Sequence, residues 1–124
     1  MPVIVGVALG GAIGATARWG LDRFIEARSE ALFPWATFTI NVTGCFLIGV
    51  VVESLVDRHH LPAWIRIGLV VGVLGGYTTF STFAQEGFAL FESRDVAVGL
   101  AYTAGSVVVG ILAVWSGTVL GRAL

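Results

Sequence analysis

Lysine is absent from this 124-residue chain, and charge of either sign is scarce: seven arginines face eight acidic residues, for a formal net charge of −1. Charged residues make up 12% of the chain, against about a quarter in soluble domains, so its polar residues cannot cover a water-facing surface. The near-neutral balance removes any electrostatic case for nucleic acid or for polybasic lipid binding. A single cysteine, Cys45, excludes a disulfide framework; lying inside an apolar run, it reads as a small residue packed between helices. The two histidines, His59 and His60, are adjacent. Adjacent residues do not share a helix face, so the pair reads as a solvated loop rather than a metal site. No histidine lies within an apolar run to activate the many hydroxyls. Gly10-Gly11-Ala12-Ile13-Gly14 lacks the lysine of a phosphate-binding loop and sits inside a hydrophobic run, where helix packing explains it better. Nothing here points to an enzyme.

What is abundant is apolar: 56% of residues are hydrophobic, with a mean hydropathy of +0.91. A bilayer core takes about 20 apolar residues per helix, and the chain divides into four such runs, about 3–21, 35–56, 63–91 and 96–120. The expected fold is an all-α membrane protein, residues 1–124 forming a single transmembrane domain with short connections and no soluble domain. The first run ends at Ala15-Thr16-Ala17, but no arginine or lysine precedes it. A cleavable signal wants a positive start, so the run reads as the first membrane helix. Gly6, Gly10 and Gly14, four apart, form a stripe where another backbone can approach closely.

The third run is unusual. It carries Gly68, Gly72 and Gly76 at fourfold spacing, then Gly75-Gly76-Tyr77-Thr78-Thr79-Phe80-Ser81-Thr82-Phe83. Paired glycines followed by β-branched threonines make a poor helix, so a break is predicted mid-membrane, near 75–79. Non-helical backbone at that depth survives only when buried in protein or lining a cavity. Carbonyls exposed there would form a cation site. Asn41, with Thr37 on the same face, puts an amide in the body of the second run. Phe80 and Phe83 share a face if the segment after the break is helical. Phenyl rings presented edge-on, beside an amide N–H, can replace part of an anion's hydration shell; Ser81, Thr82 and Ser106 add hydroxyl donors. Arg18 and Glu86, charged and near or inside runs, need partners or a water-filled vestibule, whereas Glu53 lies close enough to a loop to reach the interface.

Orientation is evenly poised. Arg23, Arg28 and Arg94, with Arg18 close by, flank one side; Arg58, Arg66 and Arg122 flank the other. Arginine bias normally fixes which side faces the cytoplasm, so near-balance permits insertion both ways and an antiparallel dimer. A four-helix chain this small is also poorly suited to enclosing a pathway alone.

The motif 75–83 with Glu86 resembles the signature of the Fluc/CrcB fluoride channels. The resemblance extends through Gly10-Gly11-Ala12-Ile13-Gly14-Ala15-Thr16-Ala17-Arg18, Asn41-Val42-Thr43-Gly44, and Tyr102 with Ser106. It implies a dual-topology antiparallel homodimer in the cell inner membrane, with two pores for passive fluoride export. It also implies pore-lining roles for Asn41, Phe80 and Phe83, and polar contacts from Thr37, Ser81, Thr82, Tyr102 and Ser106. Arg18 would sit near a vestibule. A structural sodium ion would be held by the backbone carbonyls of Gly75 and Thr78 from both subunits. The competing reading, a proton-coupled multidrug exporter of four short helices, needs a deep carboxylate in the first helix. That run has none before Asp22.

Overall fold

The computed structural model describes residues 1–57 and 59–124; Arg58, counted above with Arg66 and Arg122 on one side of the membrane, lies outside the described residues. Among the described residues every regular element is a helix. Helix α1 covers Val3–Glu26 and α2 covers Trp35–Val51, prolonged by a wider π-type turn, Val52–Val56. Helix α3 spans 63–77 and is itself mixed, with Ala63–Ile67 α-helical, Gly68–Leu74 π-helical and Gly75–Tyr77 α-helical. Helix α4 (Phe80–Glu92) and helix α5 (Val96–Ala123) complete the chain. As continuous segments, Val3–Glu26, Trp35–Val56, Ala63–Glu92 and Val96–Ala123 are long and apolar enough to cross a membrane, with mean hydropathies from 1.4 to 2.0.

Local chemistry sets the boundaries. All three prolines, Pro2, Pro34 and Pro62, stand immediately before a helix, where the missing N–H is one the first turn could not have used. Between α4 and α5 the chain turns through Arg94 at φ 64°, the sole non-glycine with positive φ among the described residues. Arg94 N–H donates to Phe91 O (3.1 Å) and Asp95 N–H to Leu90 O (2.9 Å), closing the end of α4 as a left-handed cap does.

Glycine sets the packing distance. Gly6, Gly10 and Gly14 are the buried residues of α1. A methyl group on them would strike the carbonyls of Trp64, Gly68 and Val73 respectively. The α1 and α3 backbones therefore touch along the predicted stripe. Helices α2 and α5 meet the same way, with Gly49 against Val114 O and Gly117 against Phe46 O. Tyr102, Ile40 and Thr37 are the largest fully buried side chains. Only 17–22% of the residues in each span's most apolar window are buried within the chain, so most helix surface is left to lipid or to another protein.

Between α3 and α4 the backbone is extended. Thr78 lies at φ −83°, ψ 160° and Thr79 at φ −146°, ψ 121°. Gly75 and Gly76, the weakest helix formers in the motif, stay helical; it is the two threonines that leave the helix.

Candidate functional site

The interruption is held by side chains from three elements. Asn41 on α2 donates from Nδ2 to Thr79 O (2.8 Å), and Thr79 N–H donates to Asn41 Oδ1 (2.8 Å). Thr79 also caps α4, its Oγ1 accepting from Thr82 N–H (3.3 Å) while donating to Thr82 Oγ1 (3.1 Å). At the end of α3, Thr78 N–H and Thr78 Oγ1 both donate to Leu74 O, each at 3.0 Å. Arg18 on α1 donates from Nε to Gly76 O (3.2 Å).

These bonds decide which carbonyls are released. In an unbroken helix Gly75 O would accept Thr79 N–H, and Thr78 O would accept Thr82 N–H. Both donors are diverted, one to Asn41 and the other to Thr79 Oγ1. Gly75 is moreover exposed. The interruption takes the helical donors from Gly75 and Thr78 and equally from Gly76 and Tyr77 between them; of these four carbonyls, Gly76 O is met by Arg18.

Beyond the interruption, three aromatic rings follow one another. Phe80 and Phe83 have centroids 5.8 Å apart, tilted by 47°, and Phe83 and Tyr102 are 5.2 Å apart, tilted by 60°. Phe80 is 79% exposed, Phe83 is half-buried and Tyr102 is fully buried, so the row runs from an open face into the chain. Behind it Glu86 accepts two hydrogen bonds, from Thr37 Oγ1 (2.8 Å) and from the Tyr102 hydroxyl (2.7 Å). Those two hydroxyl protons are committed to a carboxylate. The Thr82 hydroxyl accepts from Thr79 and keeps its own proton to donate. Ser106 Oγ is buried with no hydrogen-bond partner among the described residues, and Ser81 is exposed on the first turn of α4.

Three cavities share walls here. One of about 280 Å³ is lined by Asn41, Gly75, Thr78, Thr79 and Phe80. A second, about 190 Å³, holds Arg18, Asp22, Thr37, Thr79 and Thr82. The third, about 330 Å³, opens under the 27–34 loop beside Glu26, Phe33, Thr37 and Glu86. Thr79 borders the first two and Thr37 the last two. Asn41, Thr37, Thr82, Arg18, Gly75, Thr78 and Phe80 line these cavities, whereas Phe83, Tyr102, Ser81 and Ser106 line none of the three. Sequence reasoning did not single out Thr79, though a threonine three residues before Thr82 at a helix start carries the N-cap pattern. It also left Glu86 without a partner.

Comparison with known proteins gives this arrangement its context. The family described as "CrcB-like protein, Camphor Resistance (CrcB)" matches residues 5–118. A protein of Solibacter usitatus named "Fluoride-specific ion channel FluC" is 45% identical over 116 residues, 94% of this chain and 95% of its own. One of the same name from Acidobacterium capsulatum is 46% identical over 118 residues, covering 94% and 93%. Another, from Pseudomonas fluorescens, is 42% identical over 122 residues, 98% of each. The shared name is that of an ion channel, not an enzyme, and it suits four membrane-capable helices whose polar groups meet in cavities between them. With the match running from the first helix into the last, this multi-pass membrane protein belongs to the CrcB family.

Proposed function

We propose that the chain forms a fluoride-specific channel that passively exports fluoride across the cell inner membrane, and that two antiparallel copies build it. The observation that carries this reading is the row Phe80–Phe83–Tyr102, which starts on an open face beside Asn41 and leads inward. Ring edges carry partial positive charge. The Asn41 amide has two N–H donors and spends one on Thr79 O, so one is left for an anion. Thr82 and Ser106 keep hydroxyl protons to donate, Ser81 adds an exposed hydroxyl, and Thr37 contributes through its bond to Glu86. Arg18, in the cavity with Thr82, draws anions into a vestibule. Among the described residues no fixed cation stands along the ring row to trap the ion.

The export direction follows from charge. Undissociated hydrogen fluoride crosses a membrane and ionises in the more alkaline cytoplasm, and a negative interior then drives the anion out. The driving force is about 2.3 kcal/mol per 100 mV, roughly a fiftyfold concentration ratio. An open pore suffices.

A structural sodium ion at the dimer centre is part of the same reading. Backbone carbonyls are hard oxygen donors suited to such an ion. The Gly75 and Thr78 carbonyls have lost their helical donors, and Gly75 is exposed. Two copies would offer four such oxygens, and the ion would supply the positive partner those carbonyl dipoles lack, tying the two breaks together. The dimer draws support from the shallow burial of every span and from the exposure of Gly75 and Phe80.

Purified protein in liposomes, with fluoride efflux recorded by a selective electrode and chloride as control, tests the function. Rapid uncoupled fluoride efflux is the expected result. No flux, or proton-coupled exchange of cations, would overturn it. Reconstitution without sodium should lower flux or dimer content; sodium-independent behaviour removes the cation site.

A further inference from the structure

The last turn of α3 settles its carbonyls one at a time. Leu74 O takes the two Thr78 donors, and Gly75 and Thr78 lose theirs. The interruption deprives Gly76 as well, since its helical donor would be Phe80 N–H, and Phe80 instead opens α4. Arg18 Nε supplies what the broken helix cannot. Its reach follows from packing: Gly14, one turn earlier on α1, brings the backbone against Val73 and Tyr77, which sets Arg18 alongside Gly76. The arginine therefore touches both the vestibule cavity, with Asp22, Thr37 and Thr82, and the turn that carries the released carbonyls.

We propose that Arg18 is a positioning residue that locks the α3–α4 interruption through Gly76 O, and thereby holds the Gly75 and Thr78 carbonyls in place for the cation. The part concerning the cation rests on the sodium reading above. Charge is secondary to this role; the donor at the Nε position is what matters.

Three substitutions separate donor from charge. Glutamine matches arginine atom for atom to the Nε position and places its amide nitrogen there, without charge. Methionine puts a methyl group at that point, and lysine a methylene with its charge one atom farther out. Fluoride efflux measured against sodium concentration gives a half-activation point for each. The expected result is that Arg18→Gln keeps the wild-type midpoint, while Arg18→Met and Arg18→Lys raise it about tenfold, as loss of one hydrogen bond to a partly buried carbonyl implies. A vestibule charge alone predicts the opposite grouping: Arg18→Gln and Arg18→Met lose flux together, Arg18→Lys keeps it, and no midpoint moves. That pattern would overturn the proposal. Amide hydrogen exchange over 76–82 provides a readout independent of sodium, expected to quicken in Arg18→Met but not in Arg18→Gln. If wild-type flux ignores sodium, the cation reading fails, and exchange alone decides whether Arg18 locks the break. Equal exchange in the wild type and Arg18→Met would end the proposal.

Discussion

Asn41 and Thr79 are joined through both halves of one carboxamide: Nδ2 donates to Thr79 O and Oδ1 accepts Thr79 N–H, each at 2.8 Å. The side chain does for Thr79 what a neighbouring strand would do. An extended residue between two apolar helices would otherwise leave its backbone groups unpaired, at a cost of several kcal/mol for each in a bilayer. Asn41 is therefore both the clamp on the interruption and the amide that the proposed pathway needs.

Asn41→Asp separates those tasks from mere size. The carboxylate can still accept Thr79 N–H, but it cannot donate to Thr79 O, and it sets a negative charge beside Phe80. The expected loss is about 1–3 kcal/mol of stability for the unpaired carbonyl, seen as a lower Tm in detergent. Fluoride efflux should fall at least about tenfold. An unchanged Tm would remove the clamp.

Phe80→Ile and Phe83→Ile test the ring row. Isoleucine keeps most of the apolar volume but has no quadrupole. Phe80 is 79% exposed in the single chain, so its replacement should leave each subunit folded while flux drops. Phe83 packs on Tyr102, so its variant should lose flux and also a few tenths to about 1.5 kcal/mol of aromatic packing. Wild-type efflux in both purified dimers would take the rings out of the pathway.

The helices and their packing stripe were legible because composition and spacing write them directly. Four apolar runs and Gly6, Gly10 and Gly14 leave few alternatives. The location of the backbone change was less so. The predicted range, near 75–79, took in the paired glycines and the threonines after them; Gly75 and Gly76 stay helical, with the α1 backbone packed against Gly76 and Arg18 bonded to its carbonyl. The chain departs at Thr78 and Thr79, where Asn41 offers a substitute ladder from 38 positions away. Glu86 was unreadable for the same reason. Its partners Thr37 and Tyr102 come from other helices, so a one-dimensional pattern shows an isolated acid where the fold has a doubly bonded one.

Glu86→Gln and Glu86→Ala should differ in a defined order. Alanine strands two donors at once, Thr37 and the fully buried Tyr102, at about 1–3 kcal/mol for each unsatisfied hydroxyl. Glutamine keeps one acceptor and offers an N–H to the other oxygen, so its loss should be roughly the 0.5–1.5 kcal/mol of a single exchanged hydrogen bond. Thermal unfolding of the two purified variants checks this; an alanine variant as stable as the glutamine one would show that Glu86 anchors neither hydroxyl.

Arg94 combines a strained backbone with a topological charge, and two substitutions pull them apart. At φ 64° a side chain with a Cβ sits in the left-handed region at a cost of roughly 1–2 kcal/mol, which glycine avoids. Part of that gain is offset by the greater freedom of glycine in the unfolded chain, so Arg94→Gly should raise stability by up to about 1 kcal/mol. Arg94→Ala removes the same charge but keeps the strain, and it should gain nothing. Both variants also change the arginine balance across the membrane, from Arg18, Arg23, Arg28 and Arg94 against Arg58, Arg66 and Arg122 to three against three. If the channel needs both orientations, levelling that bias leaves antiparallel assembly intact, and cross-linking of paired cysteines introduced at opposite membrane faces should still capture dimers in each variant. Loss of those dimers together with a normal Tm would show that the original bias, not its near-balance, directs assembly.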